Sequence, residues 1–112
     1  MVYAALAPLA SLRVQDRYIV NGTKDEYLLP DELLERAISL LFEQRVVKVE
    51  ESRKLEELKQ ALRACNLPGT MSNSELVFDY GPWKAVREKS RDYLAEIGFD
   101  LETWEKNELG GA

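Results

Sequence analysis

Carboxylates are the residues of this chain with the most chemistry to offer. Histidine is absent, so no Ser–His or Cys–His nucleophile pair can be assembled. Cys65 is the single thiol, which also removes any Cys/His zinc site. It follows Leu58 and Leu62 on one apolar helical face, where a free cysteine behaves as a small hydrophobe; we expect core packing, not a nucleophile. Asp25-Glu26 and Asp31-Glu32 are adjacent acids of the kind that share acid–base work. One pair flanks a turn and the other opens a helix, and those places account for both. The acid and glycine spacing of a calcium loop is missing. Gly22, Gly69, Gly81 and Gly98 stand alone, so neither phosphate-cradling glycine pattern exists. No catalytic residue, cofactor or metal site is assigned, and the expectation is a non-enzymatic protein.

Where the acids fall is more telling. The chain carries Lys+Arg 15 against Asp+Glu 20, a net charge of −5 over 112 residues. From Asn66 onward there are nine acids and five bases, so that segment holds −4 of the total. Glu88, Asp92 and Glu96 recur at i, i+4 and i+8, opposite an apolar face of Trp83, Val86, Tyr93 and Ile97. Like charges at this spacing repel by a few tenths of a kcal/mol per pair, partly offset by Lys84, Lys89 and Arg91 beside them. Glu102, Glu105 and Glu108 form a second acidic group around Trp104. Trp104 and Tyr80 add aromatic anchors of the type enriched at interfaces, whereas Trp83 belongs to the core stripe.

This charge argues against a nucleic-acid partner, which requires clustered base. It suits a surface that steers and holds a basic protein. The expectation is therefore a protein-binding module, most directly a stoichiometric inhibitor of the immunity-protein or antitoxin type. Its partner would be a basic toxin or nuclease, and its contact residues Tyr80, Glu88, Asp92, Glu96, Glu102, Trp104, Glu105 and Glu108. A competing expectation is an assembly subunit that homodimerises or joins a larger complex; monomer and homodimer both stay open. A third is a small-ligand binder or carboxylate enzyme with a cleft lined by Asp25, Glu26 or Asp79.

The elements that must position these residues read as a mostly helical α+β domain spanning 1–112, with residues 1–11 and 109–112 frayed. Alternation over Arg13–Val20, a turn at Asn21-Gly22 and a second strand from Lys24 to Leu29 suggest a small antiparallel hairpin. Asn21-Gly22-Thr23 matches a glycosylation pattern, but Asn-Gly reads more simply as that turn. Four helices follow. The first opens at Pro30, and its broad apolar arc through Phe42 marks it as the central core helix. The second runs near Ser52–Cys65 with Leu55, Leu58, Ala61, Leu62 and Cys65 inside and Glu50/Lys54 and Glu56/Lys59 pairs outside. Gly81-Pro82 starts the third, which Gly98 ends, and Asp100 caps a short fourth. Arg45–Val49 is a break or short strand, and Leu76–Tyr80 a short strand.

No apolar run approaches the ~20 residues of a membrane span. The apolar N-terminus lacks the preceding base of a signal peptide. An unpaired cysteine fits a reducing, cytoplasmic setting.

Overall fold

A computed structural model describes residues 2–22, 27–43 and 53–110. These form seven α-helices and, among the described residues, no strand. They are α1 (Val2–Ala10), α2 (Leu12–Gln15), α3 (Pro30–Ile38), α4 (Arg53–Ala64), α5 (Asn73–Asp79), α6 (Gly81–Glu96) and α7 (Leu101–Glu108). Two of them run on as π-helix, α2 through Asp16–Val20 and α3 through Ser39–Glu43. The fold is all-α, not α+β.

The hairpin fails for a local reason. Ser11 Oγ accepts the Val14 N–H at 3.1 Å and so caps a helix that starts inside the expected first strand. Val14 and Gln15, adjacent in sequence, are both buried, while Arg17, midway between the buried Gln15 and Ile19, is exposed, a pattern that strand alternation cannot produce. Asn21 has φ −107°, whereas the hairpin turn needs a positive φ there. Its N–H instead donates to the Asp16 carbonyl at 3.0 Å, and its side chain donates to the same oxygen, closing the π turn. Tyr27–Leu29 are irregular, while Lys24 lies outside the described residues, as does Arg45–Val49.

The expected strand at Leu76–Tyr80 is helix α5 and its cap. Ser72 Oγ accepts the Glu75 N–H at 3.2 Å and donates to Glu75 Oε1 at 3.0 Å, a reciprocal arrangement at Ser-x-x-Glu that starts a helix. Leu76 and Val77 are then buried side by side. Residues 2–10, expected to be loose, form α1, whose Leu6, Ala7, Leu9 and Ala10 are buried in the core.

α6 is the central helix, packed chiefly on α4 and α1, a place the sequence reading gave to α3. Trp83, Val86, Tyr93 and Leu94 are buried along it. Ile97, expected on that face, is 45% exposed, because α6 stops at Glu96 and the chain turns away through Gly98 at φ +79°. On α4 the inner face is as expected: Leu55, Leu58, Leu62 and Cys65 are buried. Its outer pairings differ. Lys59 and Arg63 stand over the Phe42 ring at 5.6 and 4.4 Å, and Glu57 pairs with Lys89 of α6 at 3.2 Å; Glu50 is outside the described residues.

Ser90, also on the inner face of α6, is fully buried, and its hydroxyl has no hydrogen-bond partner among the described residues. An unsatisfied buried hydroxyl costs about 1–3 kcal/mol. Ser90→Ala should therefore leave the thermal midpoint unchanged or raise it by a few degrees in a melting experiment. A clear drop would mean that the hydroxyl has a role in packing.

Candidate binding surfaces

The eight residues expected at an interface do not converge on one spot. Glu88, Asp92 and Glu96 lie exposed along the outer face of α6, and none forms an ion pair among the described residues. The charge of Glu96 is felt inward: burial first, and then this carboxylate, hold the Tyr93 phenol above its ordinary pKa.

The acids of α7 are differently placed. Asp100 caps the helix by accepting the Thr103 N–H at 3.1 Å and hydroxyl at 2.7 Å, and the Thr103 hydroxyl bond foremost pulls its carboxyl below the usual range. Glu102 pairs with Lys106 at 3.7 Å, and Glu105 with Arg13 at 3.8 Å. Tyr80 sits between α5 and α6, half-buried, with its hydroxyl donating to the Asn66 carbonyl. That bond fastens a loop to a helix junction.

Trp104 and Glu108 line a groove that no single stretch of sequence announces. Its other walls include Pro8, Tyr18, Tyr27 and Leu28, and its volume is about 540 Å³. Pro8 stands inside α1, so the Ala4 carbonyl one turn earlier receives no proline N–H; Ala4 lies exposed at the groove edge. The π turn carries Tyr18, whose hydroxyl donates to the Glu108 carbonyl at 3.0 Å, while Arg17 donates to the Leu109 carbonyl at 3.1 Å. These bonds satisfy carbonyls at the end of α7 that the helix itself leaves open. Tyr27 is held from the other side, its hydroxyl accepting from Asn73 Nδ2 at 2.8 Å.

Two further grooves are less selective. One, of about 470 Å³, is lined by Leu12, Phe99 and Leu101 together with Arg13, Arg91, Glu102 and Glu105, so both signs of charge meet there. The other, of about 680 Å³, separates α1 from α3 and is lined by Ala4, Ala5, Glu32, Glu35, Arg36, Ser39 and Leu40, with no aromatic ring among the described residues. Asp79 is exposed and borders none of these three grooves. Asp25 and Glu26 lie outside the described residues.

One polar cluster lies within the core. Gln15 is fully buried; its Nε2 donates to the Pro8 and Leu9 carbonyls at 3.1 and 2.6 Å. Its Oε1 accepts from Trp83 Nε1 and Arg87 Nη1, both at 3.0 Å. Arg87 Nη1 also donates to the Val77 carbonyl at 2.9 Å. The Gln15 amide thus ties α2 to α1 and α6 with every hydrogen-bonding position used, and Arg87 extends the cluster to α5. Arg87 has no carboxylate partner among the described residues; burial, and next the charge of Arg91, lower its pKa. The cluster faces inward and holds the fold.

Cys65 is buried, and desolvation raises its thiol pKa, the opposite of what a nucleophile needs. Ellman's reagent should react with it slowly in the native protein and fast in denaturant; rapid native labelling would contradict a core role. Among the described residues no group of three Cys, Asp or Glu side chains is placed to hold a metal ion, and no helix is long and apolar enough to cross a membrane. No protein-family model, curated protein or solved structure matches the chain.

Proposed function

We propose that this chain is a non-enzymatic protein-binding module that captures a basic protein on the outer face of α6, in the manner of an immunity protein or antitoxin. The observation that carries this reading is that Glu88, Asp92 and Glu96 are exposed and form no ion pair among the described residues. Glu57, Glu102 and Glu105 each have a cation within 4 Å; among the described residues Glu88, Asp92 and Glu96 do not. They stand about 6 Å apart along the axis, repel one another slightly and contribute no ion pair among the described residues. A stability cost without a structural return is the pattern left by residues kept for binding. Such a row raises the encounter rate of a basic partner and favours it over acidic competitors.

Homodimerisation through α3 has less to support it. Leu33, Leu34, Ala37 and Leu40 are buried within the chain, and Ile38, Leu41 and Phe42 are half-covered, so little of that apolar arc is left for a second copy.

Neutralising the row separates binding from folding. The triple variant Glu88→Gln, Asp92→Asn, Glu96→Gln should melt close to the parent temperature, since the repulsion removed along the row is balanced by the lost attraction to Arg87 and the flanking Lys84, Lys89 and Arg91. Its retention of the basic partner captured by the parent protein should fall at least tenfold, and the salt dependence of that capture should flatten. Capture at parental strength would refute the reading.

A further inference from the structure

We infer that the groove between α1, the π turn after α2 and α7 is a binding site for a small organic cation whose charge sits on a methylated ammonium. This inference does not depend on the α6 reading. Tyr18, Tyr27 and Trp104 supply three aromatic rings to one groove of about 540 Å³, and among the described residues that line it Glu108 is the one that carries a charge. Ring faces attract cations through their quadrupole, and desolvation strengthens the attraction. One of the three rings already holds a cation on one side: the Arg17 guanidinium lies 5.3 Å from the centre of the Tyr18 ring, which leaves Tyr27, Trp104 and the rest of the Tyr18 ring for a ligand.

The hydrogen bonding narrows the cation. The Tyr18 hydroxyl is committed to the Glu108 carbonyl, and the Tyr27 hydroxyl accepts from Asn73. The phenols are therefore anchored by their oxygens, and their rings are what remains for a ligand. A bare ammonium carries three donors that need acceptors when desolvated. Among the lining side chains, the Glu108 carboxylate is the acceptor without an ion-pair partner within the described residues. A methylated ammonium keeps the charge, needs no such set of acceptors and presents apolar surface to Pro8, Leu28 and the rings. Choline-like molecules have this chemistry, and a trimethyl-lysine side chain carries the same head on a polypeptide.

The test uses the full chain labelled at its indole nitrogens and titrated with choline chloride. Trp83 is fully buried and serves as an internal reference for Trp104. The Trp104 indole signal should shift saturably, with a midpoint between ~0.1 and 10 mM. The neutral isostere 3,3-dimethylbutan-1-ol should bind at least tenfold more weakly. Trp104→Leu should weaken choline binding at least fivefold. Trp104 also packs on the core, so Tyr27→Leu, at a position 41% exposed, provides a second variant with the same expected loss. Glu88→Gln, Asp92→Asn, Glu96→Gln should leave choline binding unchanged. A trimethyl-lysine peptide that binds more tightly than choline, with the same losses in both variants, supports the site and places its ligand on a protein. Equal binding of the neutral isostere, an equally tight unmethylated lysine peptide or the lack of any saturable shift would overturn the inference.

Discussion

Trp83→Ala should lower the thermal midpoint by about 15–20 °C, corresponding to roughly 4 kcal/mol. Trp83 is fully buried on the central helix α6, and truncation leaves a cavity that the packed neighbours can only partly close. It also removes the indole N–H that donates to Gln15 at 3.0 Å. Trp83→Phe divides these effects, keeping most of the ring volume while deleting the donor. It should cost about 1–2 kcal/mol. Melts followed by circular dichroism give both numbers, and a Trp83→Phe as damaging as Trp83→Ala would mean that the hydrogen bond outweighs the packing.

Gln15→Leu is the second large effect. The substitution is close in shape, but it strands several groups at once: the Trp83 N–H, one Arg87 donor and the carbonyls of Pro8 and Leu9. Each unmet buried group costs about 1–3 kcal/mol, and solvent reaches some of them, so a loss of about 3 kcal/mol is expected. That is a large share of the roughly 5–15 kcal/mol by which domains are stable. Because Gln15 and Trp83 share a bond, Gln15→Leu and Trp83→Phe should combine to less than their sum by about 1 kcal/mol. Strict additivity would show that the two side chains act independently.

Helices with strong boundary residues were legible before any coordinates. Pro30 opens α3, Asp100 caps α7 and Gly98 ends α6 with a positive φ. The face of α4 followed from Leu55, Leu58 and Leu62 alone. Two short segments went the other way, because a run of five to eight apolar and polar residues fits either period. At Leu76 the β-branched and aromatic content of Val77, Phe78 and Tyr80 suggested a strand, and the deciding feature is the cap at Ser72-x-x-Glu75. At Arg13–Val20 there was less to see, because a π turn has no sequence period of its own. The depth of α1 was hidden because Ala5, Ala7 and Ala10 say little about burial until α6 is placed against them.

The candidate surfaces divide along the same line. The α6 row needed only the helical repeat, so Glu88, Asp92 and Glu96 could be found from spacing. The aromatic groove needed Tyr18 and Tyr27 brought to Trp104 across most of the chain, and local pattern carries no information about that. Gln15 gave no signal at all. Its role depends on four groups from Pro8, Leu9, Trp83 and Arg87 meeting it in the core.

The most direct measurement places a photo-crosslinking phenylalanine analogue at Asp92, in the middle of the α6 row, inside the cells that make the protein. The expected result is one predominant adduct with a basic protein, lost when Glu88 and Glu96 are changed to Lys and not seen from the same analogue at Glu35, an exposed position on α3. No adduct at Asp92, or the same set of adducts from both positions, would contradict a binding role for this face.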